Sequence, residues 1–420
     1  MREERVGHHR LANGLQVLTL VDRTAPILAY QTWFQVGSRH EREGTTGMAH
    51  LFEHLMFNQT TSLAPGEFDR LIERTGGETN AATSVDRTYY ANKLPSNELA
   101  LAVRLESDRM ANLVLGDEQV ESEREVVANE RRFRVEDDVD GFLSEELFRM
   151  AFTDHPYRWP TIGWMKDIMA IQIADCRAFY ETFYGPNNAL IVLAGDFDET
   201  AALRLIEEHY GAIRPRALPI ESEIPIEPEQ QEERRATWKK PVGGDRLKIG
   251  YKSPAFAHPD YAVFELLSEI LFGGQSSRLD RLLVVEKELA FSVDAWLSPF
   301  KDPSLFEISV SVRRGHGAAE VESLIYPELE RLATVLTAPE ELIAAKARLE
   351  TCLYTELRPV FGQAEALGNF HSAAGDYRRL FAVGRELRKI TGEDVLRVAR
   401  SYFDSRRRTV VIAHPASRTR

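Results

Sequence analysis

The stretch DCRAFYETFYGPNNALIVLAGDF, residues 175–197, returns in outline as EDVLRVARSYFDSRRRTVVIAHP, residues 393–415. Each copy carries apolar residues at helical spacing, breaks at a short polar turn and leaves through an apolar, β-branched strand. An element order repeated at the ends of two halves implies that the halves fold alike. Their openings agree: strand-like QTWFQVGSR leads into a helix in the first half, and RLKIGYKSP leads into the helical YAVFELLSEIL in the second. Between them RPRALPIESEIPIEPEQQEER is rich in Pro and Glu and has little periodicity, as a linker does. The expected fold class is α+β: two homologous, duplicated domains, each an antiparallel or mixed sheet flanked by helices. The boundaries expected are 1–213 for the first domain, 214–235 for the linker and 236–420 for the second.

Bulk composition removes several functions. A net charge of −13 over 420 residues offers a nucleic-acid backbone no clustered cations to displace its counterions. No eighteen apolar residues run together, so no membrane span is expected. Two cysteines, Cys176 and Cys352, make neither a disulfide framework nor a thiolate metal site. The first residues lack the apolar core of a signal peptide, so the expected compartment is the cytoplasm, or the periplasm if a leader has been removed.

Within the helical pattern from Gly47 to about Phe57, HLFEH occupies residues 50–54. Positions i and i+4 share a helix face, so His50 and His54 can aim imidazole nitrogens at one ion, with Glu53 bordering that face. Two histidines a turn apart also occur as ordinary surface or core residues, and the motif by itself leaves that alternative standing. Only the first half carries it. A tetrahedral zinc needs a third protein ligand, and ESEREVVANERRF offers one. There Glu123, Val126, Val127 and Glu130 fall at i, i+3, i+4 and i+7, placing two carboxylates on the face of two valines. Burying a carboxylate without a partner costs several kcal/mol, a difficulty that a bound cation removes; a charged, solvated helix flank is the alternative. With His50, His54 and Glu130 as ligands, Glu53 would be a general base and Glu123 a group holding a ligand in place.

GMAHLFEHLMF with glutamates 69 and 76 residues after His54 resembles the inverted-zincin peptidases of the pitrilysin family, M16. VGSRHEREGTTGMAHLFEHLMF, TGGETNAATSVDRTYY, DHPYRWPTIG, FGGQSSRLDRLL and ELAFSV all resemble family landmarks in family order. The length with one duplication is similar to subfamily M16B, which includes mitochondrial processing peptidase. The resemblance implies one zinc ion per chain on His50, His54 and Glu130, Glu53 as catalytic base, and Glu123 as a further functional glutamate. It implies that Asn80 and Ala81 lie on an edge strand that takes the substrate backbone by β-augmentation. It also places Phe57 in the pocket beyond the scissile bond, where plain core packing is the other account of an aromatic side chain.

One departure from the family pattern bears on partners. Where many members carry an Arg and, seven residues on, a Tyr that hold substrate from the opposite domain, this chain has Val284 and Phe291. Apolar groups cannot donate hydrogen bonds to a peptide carbonyl. Arg278 and Arg281 are nearby, but neither is a clear substitute. The expectation is a heterodimer: this chain supplies the zinc half of a clam-shell chamber, and a homologous M16B subunit supplies the Arg/Tyr pair, with peptides as substrates; a self-sufficient homodimeric peptidase and a structural subunit without turnover are the alternatives.

Overall fold

The computed structural model describes residues 3–219 and 223–416, so part of the expected linker, residues 220–222, lies outside the described residues. The described residues form two sheets. The first holds β1 Val6–Arg10, β2 Gln16–Val21, β3 Ile27–Phe34, β4 Glu78–Thr83, β5 Thr88–Pro95 and β6 Ala189–Gly195, in the order β1-β2-β6-β3-β5-β4. The second holds β7 Arg234–Lys240, β8 Arg246–Ser253, β9 Ala290–Leu297, β10 Ser304–Val312 and β11 Arg408–Pro415, in the order β7-β11-β8-β10-β9.

Without β1 the two orders superimpose strand for strand. In each, the first pair is parallel and every later pair antiparallel. The opening stretches explain the centre of each sheet. ALIVLAG forms β6, buried along its whole length between β2 and β3, and TVVIA forms the buried body of β11 between β7 and β8. A strand with neighbours on both sides and covered faces reads as a continuous apolar run. The helices Ile173–Phe183 and Gly392–Tyr402 precede these strands, completing the duplicated unit.

The compact units do not follow the linear halves. One unit comprises residues 1–131, 159–225 and 355–381; the other comprises 132–158, 226–354 and 382–420. In the first unit, helix Val360–Ala374 packs on β3 and β6. In the second, helix Val139–Ala151 packs in the equivalent place, on β8 and β11. Each sheet thus receives a covering helix encoded in the other half. Glycines permit both approaches: a Cβ on Gly368 would stand 2.2 Å from Cε2 of Trp33, and one on Gly250 would stand 3.2 Å from a Leu147 methyl. A linear pattern read half by half has no means of showing this exchange.

Candidate metal centre

The loop after β3 leads into helix Met48–Leu55. Met48, Leu51, Phe52 and Leu55 recur at i, i+3, i+4 and i+7 and are buried in the first core, which fixes the helix rotation. His50, Glu53 and His54 then share the remaining face, and Phe57 follows just beyond the helix end. The long helix Asp117–Arg131 packs against this one. Its buried residues are Val120, Val127, Ala128 and Arg131, and Glu123 and Glu130 flank that stripe. Val126, expected on the inward face, is instead 46% exposed. At 100° per residue it lies beyond Glu123 and Glu130, on the side away from Val127.

This packing brings His50, His54 and Glu130 together, with one donor atom from each lying within 4.8 Å of the others. Glu130 Oε2 lies 3.7 Å from His50 Nε2 and 3.4 Å from His54 Nε2. Donors about 2.0 to 2.1 Å from a tetrahedral zinc stand about 3.4 Å apart, so these two separations fit that ion. The donor chemistry fits as well, being two imidazoles and one carboxylate. Glu123 touches the other edge of the ring. Its Oε2 lies 3.4 Å from His54 Nδ1, and its Oε1 accepts a 3.0 Å hydrogen bond from Asn58 Nδ2. The contact with His54 holds the Glu123 carboxyl below the usual range. Burial opposes charging His54, but Glu123, Glu130 and Glu53 together raise its pKa. Three carboxylates around two histidines form a strongly cation-seeking arrangement.

Glu53 is not among the three close donors. Burial raises its pKa, Thr83 and His54 pull it down, and Glu130 pushes it up again. It lines, with His54 and Phe57, a cleft of about 510 Å³ whose far wall is the edge strand β4, including Asn80 and Ala81. Asn80 is exposed and Ala81 half-buried. Phe57 lines the cleft while packing against Phe68 and Tyr90.

Two groups of residues escaped the sequence reading. Asp69, Glu73 and Glu78 line the same cleft, and among the described residues no Lys or Arg does. Their signal was the i, i+4 pair on helix Glu67–Glu73, but nothing local said which surface that face would meet. Glu41 and Asp167, both buried, grip the start of the motif helix through backbone N–H groups, which sequence patterns do not report. In the second unit, Val284 packs against the apolar core and Phe291 is exposed. Arg278 is committed to Glu341 through bonds of 2.9 and 2.8 Å, and Arg281 lies 3.2 Å from Glu286. Among the described residues no helix is long and apolar enough to cross a membrane.

Residues 16–163 match the family described as Insulinase (Peptidase family M16), and residues 170–349 match the Peptidase M16 inactive domain. The zinc protease PqqE of Helicobacter pylori is 31% identical over 412 residues, covering 96% of this chain and 92% of that protein. The mitochondrial-processing peptidase subunit beta of Blastocladiella emersonii is 26% identical over 430 residues, covering 97% of this chain and 88% of that one. A crystal structure of a protease from Helicobacter pylori superimposes with a TM-score of 0.93 at 30% identity, covering 98% of this chain and 99% of that one. Duplicated sheets, the His50, His54 and Glu130 cluster and these matches along nearly the whole chain lead to one conclusion: the chain belongs to the M16 family of zinc proteases.

Proposed function

We propose that the chain is the zinc-bearing subunit of an M16B endopeptidase of the inverted HxxEH type, cutting extended peptides in a chamber completed by a homologous partner. The observation that carries this reading is the convergence of His50, His54 and Glu130 beside Glu53, at a cleft walled by an unpaired strand edge. His50, His54 and Glu130 would hold a zinc ion, which when bound would supply Lewis acidity towards a peptide carbonyl and towards water. Glu53 takes a proton from the attacking water and returns it to the leaving nitrogen. Glu123 fixes the His54 ring through Nδ1, leaving Nε2 for the metal. The backbone of β4 at Asn80 and Ala81 pairs with the substrate as an added strand, so recognition depends on main chain more than on sequence. Phe57 packs against the residue beyond the scissile bond. Asp69 and Glu73 favour a Lys or Arg side chain there, Glu78 being paired with Lys93.

The partner is proposed from what the second unit lacks. Val284 and Phe291 donate no hydrogen bond, and the guanidinium of Arg278 is already paired with Glu341. A homologous subunit with Arg and Tyr at those places supplies the missing donors. The test is zinc content and cleavage of a quenched extended peptide by this chain alone and after mixing with such a subunit. Bound zinc with cleavage only on mixing supports the two-subunit reading. Strong cleavage by the chain alone would replace it with a self-sufficient homodimer, and absence of zinc would overturn the metal centre.

A further inference from the structure

The motif helix Met48–Leu55 is short and is preceded by Gly47, a residue with φ of +90° and no side chain with which to cap it. The first N–H groups of a helix have no partner inside it. Here the buried Glu41 supplies the partners from the preceding loop. Its Oε2 accepts from the Gly47 N–H at 2.8 Å, and its Oε1 accepts from the Ala49 N–H at 2.7 Å. His50 is the next residue, so both bonds fall on the turn that carries the first histidine.

A second set of contacts ties this turn to the glutamate helix. Asp167 Oδ2 accepts from Thr46 Oγ1 at 2.7 Å, and Thr46 Oγ1 accepts from the Trp164 N–H at 2.9 Å. Gly47 is seated against residues 162–163 so closely that a Cβ on it would lie 2.6 Å from the Ile162 carbonyl oxygen. The carbonyl of Gly163 accepts from Arg131 Nη1 at 2.8 Å, and Arg131 directly follows Glu130. The turn bearing His50 and the residue beside Glu130 therefore both contact the segment 162–167. Glu41 holds the same turn from the preceding loop.

We propose that Glu41 is a positioning residue for the metal centre: by holding Gly47 and Ala49 it sets the separation of His50 from Glu130 and thereby the affinity for zinc. This rests on the zinc reading above. Loss of an outer group that orients metal ligands costs about 10- to 100-fold in metal affinity.

The experiment measures zinc dissociation constants by chelator competition for the unaltered full chain, Glu41→Ala and Glu41→Gln. Glu41→Ala removes both acceptors and should weaken zinc about 10- to 100-fold, whereas Glu41→Gln keeps one acceptor and should fall between. At saturating zinc both variants should regain the unaltered KM for peptide, since β4 is untouched. Gly368→Ala, which disturbs the same unit at Trp33 and not at the Gly47–Ala49 turn, serves as control and should leave zinc affinity unchanged. Variants that bind zinc within twofold of the unaltered chain would overturn the role of Glu41 while leaving the metal centre standing. No zinc binding by the unaltered chain would overturn both. Independently of any variant, hydrogen exchange in the metal-free chain should show protected amides at Gly47 and Ala49, and rapid exchange at both would refute the proposal.

Discussion

Glu53→Gln separates the base from the ligands. The substitution keeps length and volume but exchanges a proton-accepting oxygen for an amide that cannot take a proton. The three close donor atoms belong to His50, His54 and Glu130, so zinc should be retained with less than about tenfold loss of affinity. The Glu53 carboxyl sits in the cleft, where burial raises its pKa towards the range in which a general base works best. Positioned proton transfer contributes about 10²- to 10⁴-fold, equivalent to about 2.7 to 5.4 kcal/mol of barrier. The expected result is a kcat lowered by that factor with KM little changed, read on a quenched peptide, alongside zinc content by elemental analysis. The partner subunit is included if the unaltered chain needs it. A variant that still cleaves within about fivefold of the unaltered chain refutes Glu53 as base. A variant that loses its zinc would instead place Glu53 among the ligands.

Other perturbations test other levels. Asp69→Asn with Glu73→Gln should lower kcat/KM for peptides bearing Lys or Arg beyond the cleavage point by about 5- to 30-fold, from about 1 to 2 kcal/mol of lost attraction, and leave neutral peptides unaffected. Equal effects on both peptides would refute the acidic lining as a specificity element. In the second unit, Lys252 Nζ donates to the Ala151 carbonyl at 2.7 Å, and burial pulls the amine down from 10.5 to about 7 despite Glu227. Between those pH values the unfolded lysine keeps a proton that the folded one has lost. Unfolding free energy should therefore rise with pH relative to Lys252→Met, by at most about 1.4 kcal/mol per pH unit, and parallel curves would refute the shift. Gly368→Ala drives a Cβ into Trp33, a fully buried ring stacked on Tyr89 at 4.2 Å, and should cost about 1 to 3 kcal/mol in thermal or denaturant unfolding. Gly250→Ala, whose new methyl meets only the flexible end of Leu147 at 3.2 Å, should cost less; the reverse order would refute the packing argument.

The sequence alone determined whatever depends on near neighbours along the chain. Helical periodicity put His50, Glu53 and His54 on one face because i and i+4 are adjacent whatever surrounds the helix. Apolar runs marked the central strands because a doubly flanked strand buries both faces, and the repeated helix-turn-strand outline exposed the duplication. The tertiary structure decided what depends on which surface meets which. It brought Glu130, 76 residues beyond His54, to 3.4 Å from that ring. It turned Val126 outward because the stripe on its helix centres nearer Val127. Exchange of the helices Val139–Ala151 and Val360–Ala374 between the halves was invisible because an amphipathic helix encodes an apolar face and not the sheet that covers it. The cleft's acidic wall and the grip of Glu41 on Gly47 and Ala49 were hidden for the same reason: both arise where separate segments meet, and the backbone N–H groups that Glu41 binds are common to every residue but proline.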